Sequence, residues 1–173
     1  MSARPPEDTG RPLVLVCGLP GSGNRALERL VEGAGADAWI LHGTPSLPEG
    51  DPDHAASRRR CAEWILERGR PGRQVALLPV RSERWRAPTF RKTFYRWHAR
   101  WPSHVHVGNL MRVLSEQEVP TRLVSYEAFV EHPEHTQRWI VAWINEALGV
   151  DLAPGPTCWV HDGNQKYRED GRW

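Results

Sequence analysis

The sequence predicts a three-layer α/β fold, with a mostly parallel sheet flanked by helices. Short apolar runs at residues 12–17, 36–41 and 74–80 are typical of strands buried on both faces. Segments with apolar residues at helical spacing separate these runs, and such alternation favours a parallel sheet. A length of 173 residues suits one core. We therefore expect residues 12–173 to form a single domain, preceded by a flexible tail at residues 1–11, which is polar and rich in Pro and Gly.

The first half of the chain opens as strand, glycine-rich loop and helix. Strand 12–17 is followed by the loop 18–23, which reads Gly-Leu-Pro-Gly-Ser-Gly. The helix Asn24–Gly33 carries Leu and Val at helical spacing and ends at glycine. The run 36–41 predicts a second strand, and residues 53–68 have the pattern of a second helix. This order is the opening of a doubly wound α/β fold.

The second half continues the alternation with the strand Gln74–Val80. Residues 89–101 pattern as a basic amphipathic helix, and residues 109–118 as a further helix. The alternation of His104 and His106 around Val105 favours an extended segment before it. A strand is expected at 121–125. A long helix then runs from Pro133 to a stop at Gly149, with one core face made of Trp139, Ile140, Trp143, Ile144, Ala147 and Leu148.

Composition narrows the classes of function. The formal net charge is +2, which suits an anionic small molecule and is too weak to favour nucleic acid as a partner. No apolar run approaches the roughly 20 residues that span a bilayer, and no secretory signal is visible, so we expect a cytoplasmic protein without a membrane partner. Its three cysteines are odd in number and far apart, which favours neither disulfides nor a zinc site. The sequence does not indicate an oligomeric state.

The loop at residues 18–23 has the chemistry of an anion site. Glycines let the backbone turn so that several N–H groups converge, and the start of the next helix adds partial positive charge. Because the loop stands between a strand and a helix, it predicts phosphate binding. An ordinary Gly/Pro turn between the two elements is the alternative.

The loop departs from a Walker A motif, which reads G-x-x-x-x-G-K-[ST]. Gly18 and Gly23 fit, but Asn24 and Arg25 replace the lysine that neutralises phosphates and the hydroxyl that binds magnesium. A P-loop kinase of a nucleotide or small molecule is an alternative function. This chain lacks the residues of both its catalytic positions, although the loop geometry is retained. A catalytically inactive nucleotide-binding protein is a further alternative.

The same loop resembles the 5′-phosphosulfate loop of sulfotransferases that use 3′-phosphoadenosine 5′-phosphosulfate (PAPS). That loop has the form G-x-P-[RK]-S-G-T-[TS], and Pro20, Ser22 and Gly23 match it. Gly21 stands in the basic position, and Asn24 and Arg25 replace the threonine pair. The resemblance implies a P-loop NTPase-like fold, PAPS as the sulfuryl donor and no metal.

Four further segments resemble this family in the same order along the chain. Arg81 at a strand end and Thr89 eight residues later are similar to its 3′-phosphate site. Residues 123–134 resemble its R-Y-E-D-L-x-x-D-P-E stretch, and residues 147–150 its F-L-G-L. Residues 164–167, Asn-Gln-Lys-Tyr, resemble its N-x-K-Y element near the carboxyl terminus.

The resemblance implies a set of donor-binding residues and a reaction. Sulfuryl transfer would go to a hydroxyl or amine of a small-molecule or carbohydrate acceptor. The expected donor-binding residues are Pro20, Gly21, Ser22, Gly23, Asn24, Arg25, Arg81, Thr89, Lys166 and Arg168. Ser82 is a substitute hydroxyl for the 3′-phosphate. His42, at the end of the second strand, is the expected catalytic base, with Glu83 and His98 as rivals.

Overall fold

Four parallel strands form the sheet in the computed structural model of the protein. It describes residues 8–18, 21–41, 59, 61–63, 65–67, 69–82 and 103–157, with the side chains of the last range from residue 107 onward. The strands are β1 (Leu13–Val16), β2 (Asp37–Ile40), β3 (Gln74–Val80) and β4 (Thr121–Ser125). The helices with assigned bounds are α1 (Asn24–Gly33), α2 (Ser103–Glu116), α3 (Tyr126–Glu131) and α4 (Pro133–Leu148).

The strand order is β2-β1-β3-β4, and every neighbouring pair is parallel. The chain leaves β1 towards β2 on one side and later enters β3 on the other side of β1. The strand order therefore reverses between β1 and β3. In open α/β sheets, ligands bind at such a switch point, outside the carboxyl ends of the strands.

Helices cover both faces of the sheet. On one face, α1, α3 and α4 bury a cluster that includes Leu27, Phe129 and Ile144 against the strands. On the other, α2 and the helical residues described within 59–67 bury a second cluster that includes Ile65 and Leu110. The predicted α/β class with a parallel sheet is thus confirmed, and helices lie on both faces as three layers require.

Several predicted elements are confirmed closely. The bounds of α1 and β3 match the expectation, and β1 and β2 are each shorter than predicted by one residue at either end. The expectation of an extended segment at His104 and His106 is wrong, because α2 already begins at Ser103. The predicted helix 89–101 lies outside the described residues.

The predicted core face of α4 is partly wrong. Ile140 and Ile144 are fully buried, but Trp139 is 40% exposed. The helix instead turns Thr136, Gln137 and Val141 inward. The Arg122 guanidinium lies over the rings of Trp139 and Trp143, with its carbon 5.4 and 5.5 Å from the two ring centres. The attraction between a cation and an aromatic face stabilises indole rings in this partly exposed position.

The amino edge of the sheet is held by a buried arginine. Arg70 donates to the Asp37 carboxylate at 2.6 Å and to the Arg11 carbonyl at 2.8 Å. Asp37 also accepts from Thr9 at 2.7 Å. Residues 8–11 of the expected tail therefore contact the sheet, while residues 1–7 lie outside the described part. Within that part, no helix is long and apolar enough to cross a bilayer.

Candidate functional site

The candidate site begins where β1 ends, at a close contact between Gly18 and two neighbouring side chains. Gly18 lies against the Asn24 side chain and the Pro79 ring, and a Cβ at this position would collide with both. The Asn24 Nδ2 donates to the Gly18 carbonyl at 2.9 Å. This bond fastens the start of α1 to the end of β1, so Gly18 is required by lack of space rather than by an unusual φ angle.

The loop after β1 turns on two glycines with positive φ. Gly21 has φ 79°, and Gly23, which caps α1, has φ 95°. The Gly23 carbonyl accepts the amides of Ala26 and Leu27. In the described part of the chain, the amides of residues 22–25 have no acceptor. Amides in this position at a helix start are the donors that an oxyanion uses.

Arg81 brings a cation from β3 to this loop. It follows Val80, the last residue of β3, and is only 8% exposed. Its Nη1 donates to the Gly21 carbonyl at 2.9 Å. Because β1 and β3 are adjacent and parallel, the loop and the arginine lie on either side of the switch point.

Tyr126 joins the arginine to the loop. The Arg81 guanidinium carbon lies 4.8 Å from the centre of the Tyr126 ring. A Cβ on Gly23 would stand 2.9 Å from Cδ2 of the same ring. Tyr126 is the first residue of α3 and is 7% exposed. The preceding residue, Ser125, caps this helix because its hydroxyl accepts a hydrogen bond from the Ala128 amide. The start of α3 thus supports both the loop and Arg81.

The residues that follow Arg81 and Tyr126, Ser82 and Glu127, are also in contact with each other. The Glu127 Oε1 accepts the Ser82 amide at 3.0 Å, and its Oε2 accepts the Ser125 hydroxyl at 3.4 Å. The pair Arg81-Ser82 therefore lies beside the pair Tyr126-Glu127. These contacts join the carboxyl ends of β3 and β4, which are neighbours in the sheet.

The two polar residues that replace the expected threonine pair are engaged locally. Asn24 binds Gly18, and its buried Oδ1 has no partner in the described part of the chain. The Arg25 side chain, 71% exposed, donates to Glu28 at 2.7 Å, and this hydrogen bond raises the pKa of Arg25. The Arg25 guanidinium is thus paired along α1.

The structure brings together only part of the predicted site. Gly21, Ser22, Gly23, Asn24 and Arg81 meet at the carboxyl edge of β1 and β3. Arg25 and Ser82 are described, but Arg25 pairs with Glu28 along α1 and the Ser82 amide binds Glu127. The remaining predicted residues lie outside the described part of the chain: Pro20, His42, Thr89, Lys166 and Arg168, with the rival bases Glu83 and His98. Their roles stay predictions.

The sequence assigns Tyr126 and Glu127 no place in this site, although both lie within the stretch 123–134 that resembles the family. The available signal was their position directly after a strand, where the carboxyl ends of parallel strands meet. Burial alone gives no such signal, because Tyr126 belongs to neither apolar face of the sheet.

Two cavities lined by described residues lie elsewhere. One of about 350 Å³ opens at the amino edge of the sheet, beside Gln74, Glu118 and Pro120. Another of about 290 Å³ lies between α4 and the segment that follows it, beside Gln137 and Gly155. Among the described residues, no group of three or more His, Cys, Asp or Glu side chains could hold a metal ion.

No protein-family model matches the chain, and no curated protein has significant sequence similarity to it. The case for a function therefore depends on the motifs and on the geometry at the switch point.

Proposed function

We propose that the protein is a PAPS-dependent sulfotransferase with a P-loop NTPase-like core. In this proposal the loop between β1 and α1 binds the 5′-phosphosulfate group. The observation that carries it is the Arg81–Gly21 hydrogen bond of 2.9 Å. It sets a guanidinium beside backbone amides that have no acceptor in the described part of the chain. Amides at a helix start and an arginine are the donors that phosphate groups require.

The reaction needs positioning and charge stabilisation. The acceptor oxygen or nitrogen attacks sulfur, a new S–O or S–N bond forms, and the S–O bond to the 5′-phosphate breaks. Negative charge then grows on the leaving phosphate, where the loop amides would stabilise it. The proton of the acceptor passes to a base, for which we propose His42 on the family resemblance. The acceptor is a hydroxyl or amine of a small molecule or carbohydrate.

The remaining donor contacts follow from the family resemblance. Arg81 and Thr89 would hold the 3′-phosphate, while Lys166 and Arg168 would close over the donor. Within the loop, Ser22 and Gly23 contribute backbone amides. The expected cofactor set is PAPS without a metal ion.

A catalytically inactive nucleotide-binding protein is the second candidate. The observation that favours it is the engagement of both side chains at the threonine-pair positions. Asn24 binds the Gly18 carbonyl and Arg25 binds Glu28. Neither side chain then contributes charge to a transferring group, although the amides remain suited to binding a phosphate.

The first experiment is a thermal shift measured with 3′-phosphoadenosine 5′-phosphate and, separately, with ATP and magnesium. Ligands that bind only the native state raise the melting temperature by mass action. Stabilisation by the bisphosphate, without a need for magnesium, supports the proposal. Stabilisation by ATP with magnesium alone would replace it with the P-loop kinase. No shift with either would remove nucleotide binding altogether.

The second experiment separates the enzyme from the inactive binder. The protein is incubated with PAPS labelled in the sulfuryl group and a panel of hydroxyl and amine acceptors, and labelled product is measured. Arg81→Ala is the matched negative control. Binding of the bisphosphate without transfer to any acceptor in the panel would favour the inactive nucleotide-binding protein.

A further inference from the structure

The Ser82 amide is a donor next to the proposed phosphate site. It is the first backbone N–H after Arg81 and lies at the exposed carboxyl edge of β3. A guanidinium and an adjacent amide form the kind of donor pair that an oxyanion accepts. In the structure, this amide is bound at 3.0 Å by a carboxylate oxygen of Glu127, 45 residues further along the chain.

A carboxylate and a phosphate require the same donors and repel each other. The Glu127 carboxylate has a second, longer contact to the Ser125 hydroxyl at 3.4 Å, and both of its bonds are at the protein surface. Water can therefore replace these bonds when the side chain turns away. Displacement is then possible without opening the core, but the retained negative charge still opposes a second anion nearby.

We propose that Glu127 is an internal competitor for the 3′-phosphate of the donor. In the ligand-free protein its carboxylate occupies the Ser82 amide, and a nucleotide with a 3′-phosphate displaces it. The inference rests on the proposed function, since it assigns the 3′-phosphate to Arg81 and Ser82. Its consequence is selective: Glu127 weakens binding of a nucleotide with two phosphate positions more than binding of one with a 5′-phosphate alone.

The competing explanation is that Glu127 only positions Ser82. The carboxylate would then remain in place when ligand binds, and its loss would weaken all ligands equally. The two explanations differ in whether the Glu127→Gln substitution tightens binding of the bisphosphate. Glu127→Gln keeps an oxygen that accepts the Ser82 amide and removes the negative charge.

The experiment measures affinities of two probes by titration calorimetry, 3′-phosphoadenosine 5′-phosphate and adenosine 5′-monophosphate. For Glu127→Gln, we expect the bisphosphate to bind about tenfold more tightly, the scale of one relieved like-charge contact near a surface. The monophosphate should change by less than about twofold, since it does not reach Ser82. The matched control is Glu131→Gln, an exposed glutamate at the end of the same helix.

The outcomes separate this inference from the proposed function. Unchanged or weaker bisphosphate binding by Glu127→Gln, with wild-type binding intact, overturns the competitor role alone. Equal tightening of both probes overturns its selectivity. If the wild-type protein binds neither probe, the proposed function itself fails. Glu127→Ala, which removes charge and acceptor together, should tighten the bisphosphate at least as much as Glu127→Gln does, because no side chain then occupies the Ser82 amide.

Discussion

The Arg81 guanidinium is stacked on the Tyr126 ring, with its carbon 4.8 Å from the ring centre. The ring also occupies the space into which a side chain on Gly23 would project. One aromatic side chain, from the residue directly after β4, thus supports the cation that follows β3 and the loop that follows β1. Three strands therefore contribute to the candidate site at one edge of the sheet.

Replacing Arg81 should remove most of the phosphate affinity. Arg81→Ala loses a charged hydrogen-bond donor, worth about 2 kcal/mol, so bisphosphate affinity should fall roughly 30-fold. Arg81→Lys should recover part of it, because charge remains but the planar fork is lost. Titration calorimetry measures the affinities. Arg29→Ala, an exposed position on α1, serves as the control, and equal affinities of Arg81→Ala and wild type would exclude Arg81 from the site.

Tyr126 should act on the ligand through Arg81. Tyr126→Leu removes the ring under the guanidinium, and affinity for the bisphosphate should fall about fivefold, as expected for a cation–π contact. Tyr126→Phe keeps the ring and should bind nearly as wild type. In the double variant with Arg81→Ala, the Leu substitution should have little further effect. Strict additivity of the two losses would show that Tyr126 acts independently of Arg81.

The Gly23→Ala variant should lose stability and phosphate binding together. An L-residue with Gly23's φ of 95° is strained, at a cost of about 1–2 kcal/mol, and its Cβ would stand 2.9 Å from the Tyr126 ring. Urea unfolding measures the free energy change. The control is Gly33→Ala, since nothing lies within 4 Å of a Cβ there and its φ is ordinary. Equal stability of the two variants would contradict the strain at Gly23.

Periodicity and glycine placement were sufficient to predict the layers of the fold. Buried parallel strands are continuous apolar runs, which is why Gln74–Val80 was found with its bounds, and α1 is framed by glycines. The glycines between strand and helix predicted the loop, whereas Arg81 was predicted from the resemblance to the sulfotransferase family.

Contacts set by tertiary packing were not predictable in this way. Trp139 is as apolar as Trp143, yet in the packed helix it is 40% exposed and lies against Arg122. Whether Arg25 points at the loop or along its helix depends on Glu28, three residues away. Side-chain pairing at helix surfaces is worth only tenths of a kcal/mol, so the sequence pattern does not decide it.

Glu118 occupies a position that favours glycine. Glu118 follows α2 and has φ 52°. The Glu118 amide donates to the Ser115 carbonyl and the Val119 amide donates to the Leu114 carbonyl, as in a Schellman motif. Glu118→Gly should therefore stabilise the protein by about 1 kcal/mol. Gly149, at the same position after α4 with φ 63°, provides the converse test.

Gly149→Ala should destabilise by about the same amount, since alanine must then adopt the left-handed conformation. Chemical unfolding of both variants measures the pair of changes. A loss of stability in Glu118→Gly would show that its carboxylate makes contacts worth more than the backbone strain.

The buried thiols should make stability fall at high pH. Burial raises the pKa of Cys61 from 9.0 to about 11, and burial also raises that of Cys17. Between pH 9 and 11 the folded chain therefore keeps protons that the unfolded chain releases, so the free energy of unfolding decreases as pH rises. For Cys61 alone, two pH units correspond to a loss of about 2–3 kcal/mol.

Urea unfolding at pH 8 and at pH 10.5 measures this dependence, and Cys61→Ala is the comparison. The variant is less stable at pH 8 because it leaves a cavity, but its stability should fall less steeply over this interval. Other groups also titrate in this interval, and both proteins carry them. Parallel slopes for the two proteins would mean that the Cys61 thiolate is tolerated in the fold, in contradiction to its burial beside Cys17.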